Sequence, residues 1–387
     1  MIFKQEIGEK SIYIRDSTTK EELRFWGGIC EENGNYKKIY AGTDLELPKE
    51  YYYCLFQDSF SEIKDIVREN NEKLKEEHFK LYAYINLHFE KIEIDNIEDK
   101  RRFGYVKLIY ENGVEKYVDE IPLMVKKVNM RIKESIDRNF EYISNICDKQ
   151  TDRIQGIYPV VFSSRSSGYF CHEILGHLLE EDNYLYSRNF MNSGNIPKSF
   201  KVIDSIEGVE EIIGLNRYDD EGTIIKPVQI INNGIIKNLI STNKNNKFKS
   251  NGTGRRENYL KDVMPRMRNT ILIGKDDITD IQMFRKEKEI FYISDIYSGG
   301  VNIIDGQYFL YGRGWRIVNG EKRNVISKII IRGNTIEDLS NMLYIGKDCN
   351  IITGECSKYG NVVRVGMTGP SIFFSRLYIE GEVYGKR

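Results

Sequence analysis

Two of the four histidines in this 387-residue chain flank a glutamate, in Cys171-His172-Glu173-Ile174-Leu175-Gly176-His177. Neutral imidazole is the commonest transition-metal side-chain ligand, and a carboxylate beside such a site is a ready general base. This cluster therefore reads as a hydrolytic metal centre, with His172 and His177 as ligands and Glu173 as base for a metal-activated water.

The spacing is not the His-Glu-x-x-His of the zincins. Residues four apart on an α-helix share a face. Five apart, they point about 140° away from one another. The imidazoles converge only if the helix widens, as in a π-type turn, and such turns gather at functional sites. The sequence thus predicts a non-α turn or a break between His172 and His177. Gly176 is the expected place for it, because glycine relaxes backbone limits.

Two histidines and a water leave one position open on a tetrahedral zinc. Cys356, in the glycine-flanked stretch 354–360, is one candidate; Cys349, Glu180 and Cys171 are the others. Free cysteine is also among the most buried residue types, so each thiol has a plain core reading. Glu173, His177 and Glu180 share a helical face to first order. Glu180 then either orients an imidazole or belongs to a solvated acidic stripe. In Gly252-Thr253-Gly254-Arg255-Arg256, two guanidinium groups follow a glycine-rich turn. Arg255 and Arg256 are suited to clamping a peptide carboxylate, with an exposed basic turn as the alternative. The turn lacks a Walker lysine-threonine ending, which sets nucleotide binding aside.

These residues need elements to position them. Hydrophobic pattern predicts a mixed α/β region over 1–150, with a helix over 59–80 and a long strand over 81–95. A hairpin turning at Asn112-Gly113 and an amphipathic helix over 127–149 complete it. Over 151–387 a strand at 157–162, a serine-rich loop at 163–168 and the His172–His177 helix come first, that helix ending near 180–183. Hairpins at Asn233-Gly234 and Asn319-Gly320, glycine-rich turns at 298–300 and 332–334, and a helix over 335–343 follow. The expected fold class is α+β, with the metal-site helix carried by a mostly antiparallel, β-rich second domain.

Lys plus Arg (57) nearly balance Asp plus Glu (58), for a net charge of −1. That gives no case for a nucleic-acid or membrane-surface partner. The densest basic spot, Lys100-Arg101-Arg102, reads as a solvated loop. The six cysteines form no CxxC pair and no secretory framework, and the N-terminal segment lacks a signal-peptide core. No apolar run reaches roughly eighteen residues, so no transmembrane helix is expected. A reducing, cytoplasmic setting is the expectation.

The sequence also resembles a known family. The run from His172 to Asp182 is similar to the signature helix of the TldD branch of the TldD/PmbA metalloproteases. The likeness continues through Asp219-Asp220-Glu221-Gly222, the Asn232-Asn233-Gly234 hairpin and Thr253-Gly254-Arg255-Arg256. It goes on through Pro265-Arg266-Met267-Arg268-Asn269-Thr270 and Gly299-Gly300-Val301 to Cys356-Ser357-Lys358-Tyr359-Gly360-Asn361 and Gly369-Pro370. The motifs stand in the family's order over residues 155–385.

The resemblance implies a zinc-dependent peptidase binding one Zn2+ per chain through His172, His177 and Cys356, with Glu173 as catalytic base. It implies degradation or trimming of unfolded or short peptides, including leader removal from ribosomally made peptides. It further implies a homodimer, or a heterodimer with a PmbA-like sister lacking the His-Glu motif. The alternative is a non-catalytic peptide-binding scaffold subunit, which loss of that motif would favour; this chain retains it. Two departures stand out. The N-terminal portion is shorter and diverged from typical members, and Cys356-Ser357-Lys358 replaces the usual Cys-Gly-Lys.

Overall fold

The computed structural model describes residues 2–15, 18–31, 37–41, 49–123, 128–146, 151–192, 196–243 and 249–384, with side chains for all of these except 2, 25–61 and 211. Cys147 and both ends of the helix expected over 127–149 lie outside the described residues.

The first sheet holds β1 (Ile2–Arg15), β2 (Thr18–Glu31), β3 (Lys37–Ala41), β4 (Lys80–Ile94), β5 (Ile97–Glu111) and β6 (Lys116–Pro122). Its order is β3-β2-β1-β4-β5-β6, antiparallel throughout. The β5–β6 hairpin turns at Asn112-Gly113, where the Asn112 side chain accepts the Val114 and Glu115 N–H groups. Helix α1 (Lys49–Leu74) ends earlier than expected, and the chain turns into β4 through His78, held at φ +58°. Helix α2 (Val128–Ser144) buries Ile132, Ile136 and Ile143, the stripe its periodicity predicts. Lys100-Arg101-Arg102 is no loop: it lies inside β5, and Arg101 is buried on Glu90, Asp99 and Asp220.

Strand β7 (Thr151–Phe162) leads into helix α3 (Ser164–Cys171). The stretch expected as a serine-rich loop is already helix. Only Ser163 stays outside as N-cap, accepting the Ser166 N–H, while the Ser166 hydroxyl donates to the Ile293 carbonyl. Past the site described below, α4 (Glu181–Met191) precedes β8 (Val202–Asp204), β9 (Val228–Asn232) and β10 (Ile235–Ile236). A small pair, β11 (Gly254–Arg255) and β12 (Met264–Pro265), comes before β13 (Asn269–Leu272). Three long strands follow: β14 (Glu289–Val301), β15 (Gln307–Val318) and β16 (Glu321–Asn334). The chain closes with β17 (Met342–Ile345), β18 (Asn350–Lys358), β19 (Asn361–Gly369) and β20 (Ile372–Tyr384).

These form a second sheet, β10-β9-β8-β13-β19-β18, and a third, β16-β15-β14-β7-β20-β17. Pairing is antiparallel except β14 on β7 and β13 on β19. The hairpins at Asn233-Gly234 and Asn319-Gly320 stand where the sequence places them, all four residues at positive φ. Ser298-Gly299-Gly300 is not a turn; it lies in β14 beside a bulge, and Arg332-Gly333-Asn334 ends β16. The helix expected over 335–343 is cut to Thr335–Leu339, capped by the Asn334 side chain.

Alternation along the third sheet decides the layering. Val160, Phe162, Phe291, Ile293 and Phe374 point to one core with α3, while Val161, Ile290, Ile317 and Phe373 point to another with α1, α2 and the first sheet. Helix α3 thus sits between the second and third sheets, both of which it touches. No described helix is long and apolar enough to cross a membrane.

Candidate metal centre

Helix α3 widens at the histidines, as their spacing requires. Residues His172–Gly176 form a π turn, and His177–Leu179 tighten into a 3-10 turn that stops at Glu180, whose backbone is extended (φ −72°, ψ 131°). Gly176 is itself ordinary helix (φ −55°, ψ −50°), so conformational freedom is not its role. A Cβ there would lie 1.8 Å from Met267 Sδ; the glycine makes room for that side chain. Neighbours satisfy the disturbed carbonyls. Thr335 donates to Ile174, Asn183 to His177, Ser187 to Leu178 and the Ile240 N–H to Leu179. The acidic cluster at 180–183 ends one helix and starts α4, whose first turn carries Glu181 and Asp182.

The widened turn brings the two imidazoles together, ring centres 5.1 Å apart and nearly perpendicular. Cys356, on the edge strand β18, meets them: its Sγ lies 3.4 Å from His177 Nε2. One ligand atom each from His172, His177 and Cys356 falls within 4.8 Å of the others. Thr270 Oγ1 is 3.2 Å from His172 Nδ1, while His172 Nε2 is buried with no hydrogen-bond partner. A proton on Nδ1 frees the Nε2 lone pair, the arrangement of a metal-binding histidine oriented by an outer hydroxyl. Glu180 Oε2 lies 3.1 Å from His177 Nδ1 and orients that ring likewise. Burial disfavours charge on His177, but Cys356 and Glu180 outweigh it and raise its pKa well above the usual value. Burial likewise opposes ionisation of Cys356, yet the two histidines hold its thiol well below the usual range. A proton shared between imidazole and thiolate is what a borderline-soft cation displaces, so the donor set fits zinc.

Glu173 Oε2 stands 4.0 Å from His177 Nε2, at the mouth of the triad. It lines a cavity of about 670 Å³ together with His172, Cys356 and Tyr169. Tyr169, one helical turn before Glu173, carries no signal in the sequence beyond that spacing. Burial, Glu173 and Cys356 push its hydroxyl pKa up, so it stays a neutral donor beside the carboxylate.

Behind the triad, Lys358 donates to Glu180 (2.9 Å) and Asp182 (2.6 Å). Burial pushes Glu180 up, but His177 and Lys358 prevail and hold it down to about 2. Arg266, fully buried, donates to the Cys356 and Asn361 carbonyls and so fixes the cysteine strand. Lys358, Arg266, Met267 and Thr270 all lie in the motifs quoted above, but spacing alone assigns them no task.

The other sequence candidates fall elsewhere. Arg255 and Arg256 are buried and do not line the cavity; Arg255 donates to the Met267 and Arg364 carbonyls, and Arg256 Nη2 to the Asp220 carbonyl. Cys349 is exposed, and burial alone raises the Cys171 thiol far above its usual value.

Fold and site together define a helix-borne His-Glu-x-x-x-His centre closed by an edge-strand cysteine. Residues 155–381 match the family model of the PmbA/TldA metallopeptidase C-terminal domain, and the chain belongs to that family. It is 30% identical over 233 residues (59% of this chain, 52% of the relative) to the zinc metalloprotease TldD homolog of Saccharolobus solfataricus. A metalloprotease TldD homolog of Buchnera aphidicola is also 30% identical, over 249 residues covering 62% of this chain and 51% of that one. The chain spans about half the length of these curated relatives. Among solved structures, TldE from Thermococcus kodakarensis superposes with a TM-score of 0.71 at 12% identity, covering 98% of this chain and 96% of that one. A putative modulator of a DNA gyrase from Thermotoga maritima gives 0.70 at 15%, covering 98% and 95%. At such identities these two show a shared fold.

Proposed function

We propose that the chain is a zinc-dependent peptidase acting on unfolded or short peptides, with His172, His177 and Cys356 holding one Zn2+ and Glu173 as general base. The convergence of three ligand atoms within 4.8 Å, one a buried imidazole nitrogen without a partner, carries the reading. Zinc, when bound, supplies Lewis-acid chemistry, acidifying a water and polarising a carbonyl. The protein does the rest. Glu173 accepts the proton of the attacking water and passes it to the leaving amine. Tyr169 keeps a donor beside that carboxylate, and β18, as an edge strand, is where an extended peptide could add as a further strand. Lys358 and Glu180 keep the His177 ring in place.

The division near residue 150, a cytoplasmic setting, and assembly as a homodimer or with a PmbA-like subunit belong to the same proposal. Elemental analysis beside His172→Ala and Cys356→Ala tests it. The expected result is about one zinc per chain, lost in both variants. Zinc lost with His172→Ala alone would remove Cys356 from the ligand set. No metal after reconstitution would leave a peptide-binding scaffold.

A further inference from the structure

One stripe of the metal-site helix runs away from the ligands. Arg165, Tyr169 and Glu173, four residues apart, all line the cavity. Around Arg165 the cavity wall carries a buried charge cluster. Asp119 takes Arg165 (2.8 Å) and Arg138; Asp295 takes Arg165 (3.1 Å), Arg313 (3.1 Å) and, at 4.0 Å, Arg138. Three guanidinium groups share these two carboxylates. Glu115, half-buried, accepts from the Tyr117 hydroxyl, and Glu120 pairs with Arg364; both carboxylates also line the cavity.

Arg313 keeps an unused donor. It is 5% exposed, donates from Nε to Asp295 and from Nη2 to Asn139, and keeps Nη1 buried with no partner. Its guanidinium stacks on Tyr142 and Tyr117, 4.5 and 5.1 Å from the ring centres. The backbone is bent to present it: Arg313 sits at a register shift of β15, Lys328 opposite it is at φ +50°, and β14 is bulged twice alongside. Bulges in adjacent strands beside a cavity re-aim side chains, and a buried donor left unpaired is costly.

Resting on the peptidase reading, we infer that the Arg165/Arg313 end of the cavity binds a carboxylate of the peptide substrate, and that this is its C-terminal carboxylate. Arginine suits that group, with its planar fork of donors. The helix also sets a length. Eight residues from Glu173 to Arg165 rise about 12 Å. An extended peptide covers that distance in roughly three to four residues. The chain therefore trims carboxyl ends, releasing tri- or tetrapeptides.

The test reads binding first, so that it does not depend on turnover. A short alanine-rich peptide, fluorescein-labelled at its N-terminus, is titrated by anisotropy into zinc-loaded Glu173→Gln protein. It is used as the free acid, as the C-terminal amide, and as an amide ending in Glu. The acid is expected to bind roughly ten- to hundredfold tighter than the amide, and Arg313→Gln to erase the difference. Recovery by the Glu-ending amide alone would keep the carboxylate but move its source to a side chain, overturning the C-terminal assignment. Equal binding of acid and amide, or binding of none, overturns the subsite. Product mapping with the unmodified protein is the second arm. Cuts three or four residues from the end support the ruler, and cuts at random positions refute it. If nothing is cut while the acid still binds preferentially, the peptidase reading falls and the subsite stands.

Discussion

His177 is gripped from two sides, by the Cys356 thiol at one nitrogen and Glu180 at the other, with Lys358 behind Glu180. Replacing Lys358 with Met leaves Glu180 buried without its lysine, which costs on the order of 3–5 kcal/mol when a buried pair is broken. Zinc affinity should also fall roughly ten- to hundredfold, as with other lost outer-shell partners; denaturant titration and chelator competition read the two effects. Glu173→Gln should retain zinc while abolishing hydrolysis, measured by metal analysis beside a peptide-cleavage assay; retained turnover would end its role as base. At this scale the sequence showed the His-Glu-x-x-x-His pattern, because its members are neighbours in the chain. Cys356 is 179 residues from His177, and no spacing rule links an edge strand to a helix that far away. Spacing assigns Lys358 and Arg266 no task, because their burial depends on packing the sequence does not display.

The π turn shows what an element contributes beyond its residues. Its histidines converge only while the backbone stays widened, and Met267 wedges against Gly176 where a methyl group would stand. Gly176→Ala should destabilise the fold by about 1–3 kcal/mol through overpacking and weaken zinc binding with it. Thermal melts with and without zinc would separate those losses, and an unchanged protein would refute the wedge. The sequence announced this turn through a five-residue spacing, and it announced three hairpins through Asn-Gly pairs. It misled where glycine serves close approach rather than turning. At Gly299 a Cβ would meet Leu310 at 2.5 Å, so the glycine belongs inside a strand. The acidic cluster at 180–183, expected as a helix end, starts α4 instead, because Glu181 and Asp182 favour a helix N-terminus.

Across the whole molecule, the first sheet is pinned to the part that carries the two histidines by Arg101 on Asp220 (2.6 Å) and by Gln5 accepting the Tyr259 N–H (2.9 Å). Glu90 sits under both, hydrogen-bonded to Gln5 and paired with Arg101 and His88. Burial pushes its carboxyl up, but His88, Arg101 and Gln5 prevail and hold it at about 2, below its usual 4.5. A depressed folded-state pKa stabilises above the unfolded value and is lost as pH falls through the folded one. Stability on the order of 3 kcal/mol should therefore drain between about pH 4.5 and pH 2. Urea unfolding of the native chain and Glu90→Gln across that range checks it: the variant should lack that part of the slope. The α+β class was legible from periodicity. The shared core, where Val161, Trp315 and Phe373 pack with residues of the first sheet, was not, because alternation along a strand does not say which layer each face meets.

The cavity wall draws on two parts of the chain. The wall with His172, Glu173 and Cys356 lies within the family-matched stretch, residues 155–381, whereas Tyr117, Asp119 and Tyr142 on the far wall precede it. Drift in the leading segment can thus reshape the far wall while leaving the helix, the cysteine strand and their supports untouched. Chains that share this metal helix are free to diverge in diet without diverging in chemistry, and the helix alone is a poor guide to what each one consumes.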